Sequence, residues 1–469
     1  MTDASIPNPA VSSTAAIPRG RVAAWALWDA GSAGINAITT TFVFNRYLVS
    51  GDFADPATVA AHGKAAALVT LQSQFGLAST LAGLVVLLIA PVLGQQSDAR
   101  GRRKLWLGVN TALVVATLIA LFFVQGKPSF LLMGLVLFGV GTIFYEIAAV
   151  SYNAMLAQVS TPKNVGRISG LGWSFGYLGG IVLLLLVYVG LVSGSDPDFG
   201  GVLHVPTADG LNIRVVELVA AVWTLGFSLP VFFAVPELPK RPAVKAVSFF
   251  RSYVVLGRDI ARLWKSDRNT VMFLIASAVF RDGLTGIFQF GAILAGTVFG
   301  FSAGEVLIFG IAANVVAGVS TLLVGLLDDR LGPRRVILIS LIGLVVAGLA
   351  VFFLHDGGQS VFWVGGLILC LFVGPAQSAS RSFLTRVTPQ DKQGEVFGLY
   401  ATTGRAAIFI APALFTLFTV AFGAAYWGTL GIVVVVLAGL ILFLFVKPPT
   451  QIRFAQPVDA ETAVESQRR

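Results

Sequence analysis

Two stretches decide the fold: GQQSDARGRRK, from Gly94 to Lys104, and GLLDDRLGPRR, from Gly325 to Arg335. Both read G-x-x-x-D-x-x-G-x-R-basic, and Asp98 maps to Asp329 and Gly101 to Gly332 at one common offset. Each follows a long apolar run and is rich in cations. One motif recurring at the same point of two similar halves marks a duplicated chain.

The composition around the motifs agrees with this. Of 469 residues, 56% are hydrophobic and only 12% charged, against roughly 25% charged in an average soluble domain. With 51 Gly, 36 Phe and a mean hydropathy of +0.84, the chain reads as an all-α integral membrane protein and excludes a soluble globule, a disordered chain or a disulfide scaffold. Cys370 stands alone, and His62, His204 and His355 fall in predicted connecting segments without zinc spacing. No metal and no cofactor is therefore expected. The chain has no G-x-x-x-x-G-K-[ST] phosphate loop and no Ser–His–acid constellation, so neither ATP-driven transport nor an enzyme is expected.

A helix needs about 20 apolar residues to cross the hydrocarbon layer. Reading for such runs predicts twelve crossings, near 22–48, 70–93, 105–124, 129–157, 168–193, 214–235, 270–299, 303–327, 336–354, 360–386, 395–421 and 425–446. The predicted organisation is a disordered tail over 1–21, a six-helix bundle over 22–236, a basic linker over 237–268, a second six-helix bundle over 269–446 and a tail over 447–469. With the N-terminus in the cytoplasm, the 32 Lys and Arg divide into 25 in inner segments, four outside (Arg46, Lys64, Lys127 and Arg214) and three within crossings. This asymmetry predicts that both termini are cytoplasmic. It also accounts for most of the net charge of +9, which leaves no reason to expect nucleic acid as a partner.

The linker has a basic amphipathic stretch over 246–265. Phe249, Tyr253, Leu256, Ile260 and Leu263 fall on one side of a helix, and Arg251, Arg258, Arg262 and Lys265 on the other. Such a helix either lies along anionic inner-leaflet lipid or packs its apolar face on the helix bundles.

Further echoes connect the halves. TPKNVGRISG (161–170) resembles TPQDKQGEVFG (388–398), and Asp29-Ala-Gly-Ser32 in the first crossing resembles Asp282-Gly-Leu-Thr285 in the seventh. With these residues in view, the chain resembles the major facilitator superfamily over its whole length. The second motif departs only by Pro333 where the pattern has a basic residue. WALWDAGSAG near 25–34, GLGWSFGYLGG at 170–180, RDGLTGIFQFG at 281–291 and GPAQSASRSFLTRVTP at 374–389 resemble the branch of fungal autophagy-related vacuolar effluxers and bacterial "unknown major facilitator" proteins. Where those relatives read FVFP, this chain reads FVFNR at 42–46.

The resemblance implies the major facilitator fold and a monomeric carrier for a small-molecule substrate in a bacterial-type plasma membrane. It also implies a cytoplasmic latch made of Gly94, Asp98, Gly101, Arg102 and Arg103 with Gly325, Asp329, Gly332, Arg334 and Arg335. The bland alternative is a topology signal alone. Each exposed ion pair there contributes only about 0–1 kcal/mol, which suits a small bias between two states.

Charges within a bilayer cost roughly 2.5–3.5 kcal/mol on insertion scales, so they should face a cavity or a partner. The candidates are Asp29, Glu146, Arg281, Asp282, Arg381 and Arg405, with Asn36 and Gln377 as polar companions. Five of the six charges fall on crossings one, four, seven and ten, which line the central cavity in the superfamily. Each has a duller alternative: Asp29 as an interfacial cap, Arg381 as a snorkelling cation, and Arg405 as the neutraliser of a cavity carboxylate. Arg281 and Asp282, about 100° apart on a helix, cannot share one face, which predicts that one of them pairs with another crossing. Asp282 is expected to be either the proton or substrate contact or a partner of Arg381 or Arg405. Together these residues predict a secondary transporter, coupled to H+ through a cavity carboxylate. The resemblance implies export of small metabolites, amino acids above all, and carboxylates with guanidinium groups in one cavity suit such a zwitterion. A carrier of drugs, sugars or organic anions, and a non-transporting receptor or scaffold, are the alternatives.

Overall fold

In a computed structural model of the chain, residues 17–100, 103–160, 165–194, 196–236, 249–387 and 393–448 are described. They are helical almost throughout, apart from a two-residue antiparallel pairing of Phe199–Gly200 with Val205–Pro206. Eleven helices among them are long and apolar enough to cross a membrane.

The first crossing is a twelfth and is built differently from the others. It starts as α1 (Arg19–Ala33), passes into a π-helical segment (Gly34–Phe42), breaks at Val43 and ends as the short α2 (Phe44–Leu48). The cause lies in its packing on α7 (Leu211–Ala234). A Cβ on Gly34 would stand 2.7 Å from the Ala220 carbonyl oxygen, so only glycine lets the two backbones meet this closely. Trp223 Nε1 donates to the Ala30 carbonyl (2.8 Å), and the Thr224 hydroxyl to that of Gly31 (3.0 Å).

The remaining crossings of the first half are α3 (Pro56–Arg100), α4 (Arg103–Leu121), α5 (Leu131–Val159) and α6 (Val165–Val187), the last ending in a short π-helical turn. Asp55 caps α3 by accepting from the Thr58 amide and hydroxyl, which hold its carboxyl below the usual carboxylate range. After residues 237–248, α8 (Phe249–Ser266) is the amphipathic helix expected from the linker. Its Ile260 and Leu263 pack on the core, while Arg258, Arg262 and Lys265 are exposed. The second half follows as α9 (Arg268–Thr297), α10 (Ala303–Leu331), α11 (Pro333–Phe353), α12 (Gly358–Val387), α13 (Gln393–Ala406), α14 (Ile410–Phe422) and α15 (Trp427–Leu444).

The expected eleventh crossing, 395–421, is thus two helices with a turn over 407–409. Pro412 sits in the first turn of α14, where its missing N–H costs nothing. The motif regions also need correcting from loop to helix, since α3 runs through Gly94 to Arg100 and α10 to Leu331. Gly332 then turns with φ +79°, which favours glycine, and Pro333 opens α11 at a position suited to it.

Within the first half, α1 packs on α6 and α7, and α4 on α5 and α7. Within the second, α9 packs on α15, and α11 on α12 and α15. The halves meet where α3 lies against α13 and α14, and α6 against α10. Large apolar side chains such as Leu132, Phe233 and Phe353 are more than two-thirds exposed, as lipid contact permits and water does not.

Candidate functional site

Alternate crossings run in opposite directions, so depth is given from the face at which α1 begins, the N-terminal face. Asp29 lies ten residues into α1, about 15 Å deep at 1.5 Å per residue. A Cβ on Gly176 of α6 would stand 3.1 Å from Asp29 Oδ2, so the glycine makes room for the carboxylate. The cation interacting with Asp29 is Arg381 on α12, in the other half. Arg381 itself rests over the Trp173 ring, 4.9 Å from its centroid, a second contact between halves. Gln377 is partly buried one helical turn before Arg381, on the same side of α12.

Deeper, Glu146 on α5 accepts from Arg405 Nε on α13 at 3.1 Å, with both side chains largely buried. This gives Arg405 the neutralising partner expected of it, and that partner is Glu146. Asn36 donates to the Tyr145 hydroxyl (2.8 Å) and to Ser32 Oγ (3.2 Å), which ties α1 to α5 beside the pair. Trp25 and Trp28 both stack on Tyr152, with ring centroids 4.6 and 4.4 Å apart. These rings are nearly fully buried inside the first half, so they stiffen the Asp29 helix and do not form an open wall.

Arg281 and Asp282 diverge. Arg281 lies over the Tyr400 ring at 4.1 Å and donates to the Tyr400 carbonyl, with Gly404 leaving space for the guanidinium. Asp282 is buried and accepts from the Ala411 and Ile410 amides at the start of α14. The Ala411 N–H lacks a backbone partner because the helix is interrupted there, the Ile410 N–H also donates to the Ala407 carbonyl (3.0 Å), and the positive end of α14 favours a carboxylate. The structure therefore joins Asp282 to neither Arg381 nor Arg405, contrary to one expectation from the sequence. Its partner is a helix end.

At the opposite face the halves are held by polar contacts that motif reading passed over. Asn45 donates to the Gln289 carbonyl (2.7 Å), Arg46 Nη2 to that of Phe301 (2.5 Å), and Gln72 to the Thr297 hydroxyl (2.6 Å). Phe75, Phe290 and Phe415 stack beside them. Arg46, counted from the sequence among the four outer cations, is mostly buried between the halves. The signal was present in FVFNR, the place where this chain departs from its relatives. Glu217 in the sixth crossing was also missed, although it is a single acid within VVELVAAV.

Of the latch residues, Gly101 and Arg102 lie outside the described residues. Gly94, Asp98, Gly325 and Asp329 lie on described helices, but their side chains are outside the description. The cations beyond them have clear tasks. Lys104 donates to the Val235 carbonyl after α7 (3.1 Å), and Arg334 to the Val446 (2.8 Å) and Leu444 (3.3 Å) carbonyls after and at the end of α15. In each half a basic residue of the motif caps the final crossing of that half. Arg103 and Arg335 flank them, and Arg335 is exposed.

A small cavity of about 50 Å³ lies among α9, α10, α11, α12 and α15, with Phe42 of the first crossing at its edge. Its lining is apolar apart from Thr429 and Cys370, and none of the charges above borders it. Asp29, Glu146, Arg381 and Arg405 instead lie along the packed seam between halves, and Arg281 and Asp282 face other elements of the second half. Among the described residues, no cluster of His, Cys, Asp and Glu could hold a metal ion.

The fold recurs in solved structures of carriers. The fold is shared with a D-xylose–proton symporter (TM-score 0.64, 15% identity, 92% of this chain and 98% of that one). It is shared equally with the human organic anion transporter MFSD10 (TM-score 0.60, 17% identity, 91% and 100%). In sequence, the chain is 22% identical over 436 residues to the Uncharacterized MFS-type transporter YxiO of Bacillus subtilis, covering 92% of this chain and 96% of that protein. It is 24% identical over 264 residues to Autophagy-related protein 22 of Cryptococcus neoformans, covering 53% of this chain and 46% of the relative. Residues 158–453 match the family described as Vacuole effluxer Atg22 like. The match spans more than half of the chain, which therefore belongs to the Atg22-like family of major facilitator transporters.

Proposed function

We propose that this transporter moves a small zwitterionic solute, an amino acid or a similar metabolite, by alternating access, with H+ as the coupling ion and efflux as the direction. One observation carries the reading: Glu146 of one half is ion-paired with Arg405 of the other at 3.1 Å, and Arg381 of the second half acts electrostatically on Asp29 of the first. A solute bearing both an ammonium and a carboxylate can replace such pairings with equivalent ones to itself. The pairs then open without leaving a buried charge alone, which would cost several kcal/mol per ion. A non-transporting scaffold has no use for ionised groups at this seam, and their cost argues against that alternative.

Alternation is the second part. In this conformation Asn45, Arg46 and Gln72 hold the opposite face together. The motif regions at the N-terminal face supply the complementary closure when the opposite face opens. We assign the N-terminal face to the cytoplasm on the distribution of Lys and Arg. The basic side of α8 then meets anionic inner-leaflet lipid.

The test is counterflow in proteoliposomes with labelled amino acids and sugars, with and without a pH gradient. The expected result is exchange of an amino acid, with accumulation only under the gradient. Exchange of a neutral sugar with no amino-acid signal refutes the zwitterion reading and leaves a sugar carrier. Accumulation that ignores the pH gradient refutes coupling to H+.

A further inference from the structure

Glu217 of α7 takes no part in the seam between halves. Its side chain is completely buried, and Oε2 accepts from the Thr39 hydroxyl at 2.9 Å, while Oε1 has no hydrogen-bond partner. Thr39 belongs to the π-helical segment of the first crossing, and its hydroxyl also lies 3.4 Å from the Gly34 carbonyl oxygen. The charged groups on the elements packed against α7 are engaged elsewhere or distant. Arg214, one turn earlier on α7, is turned to the Phe122 carbonyl (2.6 Å) and lies over the Phe122 ring. Arg46 is bound to the Phe301 carbonyl, and Tyr47 to those of Val124 and Asp209. Asp29 is ten residues before Thr39, about 15 Å along the helix. Arg103 and Lys104 stand at the far end of α4 and Arg19 and Arg21 at the start of α1, Asp209 before α7 pairs with Lys127 (2.8 Å), and Tyr177 and Tyr188 lie on α6 and its terminal turn. Among the described residues no cation pairs with Glu217.

A carboxylate without water, counter-charge or a full set of donors is among the most costly groups a protein can bury, whereas the neutral acid needs only one or two hydrogen bonds. We propose that Glu217 is a proton-binding site: it carries a proton in this conformation and, through Thr39, holds the π-helical turn of the first crossing. The consequence follows from helix geometry. A return from π to α register turns the later part of the segment by about one residue, roughly 100°. That rotation takes Thr39 away from Glu217, and Asn45 and Arg46 away from the Gln289 and Phe301 carbonyls. Loss of the proton is thereby linked to release of the opposite face. The ligand is H+, and the site is distinct from the carboxylates of the seam and does not depend on which solute is carried.

Infrared spectroscopy of the full-length protein in lipid nanodiscs tests the site directly. Wild type minus Glu217→Gln, at neutral pH, should show loss of one carbonyl stretch of a neutral carboxyl. Loss of an ionised-carboxylate stretch instead overturns the proposal. Should Glu217→Gln fail to fold, Thr39→Val serves: the neutral-acid band should move toward that of a free carbonyl, and an unmoved band counts against the site. The linkage is read by hydrogen exchange of residues 34–48, corrected for intrinsic rate. Exchange in wild type should rise at least tenfold at alkaline pH, with little rise in Glu217→Gln. The same pH profile in both proteins overturns the link. Neither measurement uses a transported solute, so failure of the counterflow assay and failure of this proposal are told apart.

Discussion

Asp29 and Asp282 occupy corresponding places in the two halves, one in the first crossing and one in the seventh, each opening a short run of small and hydroxyl residues. Their surroundings differ. Asp29 faces Arg381 across the seam, while Asp282 is turned into its own half, onto the amides at the start of α14. The interruption beside Asp282 accounts for the difference. A helix broken in the middle of a membrane must find acceptors for its N–H groups, and the nearest carboxylate serves. Duplication thus preserved the residue, while the break in one half changed what it does. The first crossing has its own irregularity, the π-helical segment, which is tied to a different acid, Glu217.

The comparison predicts separable phenotypes. The largest effect on stability is expected from Asp282→Ala, which strands the buried Ala411 amide and should cost about 2–3 kcal/mol, read as a fall in melting temperature in detergent. Asp282→Asn keeps an acceptor oxygen and should recover most of that loss. An Asp282→Ala protein with wild-type melting and no transport would place Asp282 beside Asp29 in function and break the distinction drawn above. The Glu146–Arg405 pair comes next. A double-mutant cycle with Glu146→Gln and Arg405→Gln should give a coupling of about 1–3 kcal/mol, since each single change leaves a buried charge unpartnered. Additive effects would remove the pair from the seam.

Asp29→Asn should lower stability less than Asp282→Ala, because Arg381 keeps the Trp173 ring, yet slow counterflow at least tenfold, about 1.4 kcal/mol in barrier. Arg381→Gln should do the same, and the double variant should be no worse than either alone. A large melting shift in Asp29→Asn would make it a structural acid like Asp282. The smallest effects belong to the caps at the N-terminal face. Lys104→Gln and Arg334→Gln should each cost about 0.3–1 kcal/mol in melting, by similar amounts in the two halves. A cost confined to one half would show that the motif repeats do unlike work.

Much of the architecture was legible from the residues alone, because a bilayer leaves few options. Apolar runs long enough to cross, Lys and Arg gathered in alternate segments, and a motif present twice already specify crossings, duplication and the carrier class. The sequence also located Glu146 and Arg405 as charges in need of partners, since a charge within lipid must have one. Which partner it has depends on residues 259 apart, and no local pattern carries that information. The break over 407–409 was visible only as Pro412 in an apolar run, and the π-helical segment only as Gly31 and Gly34. Both depend on how closely a neighbouring helix packs. The same holds for Arg46, counted from the sequence among the outer cations and found against the Phe301 carbonyl. Composition and periodicity report where a residue lies along the membrane normal. Its direction around the helix, and the group it meets there, were decided by tertiary packing, because breaks and register changes rotate everything that follows them.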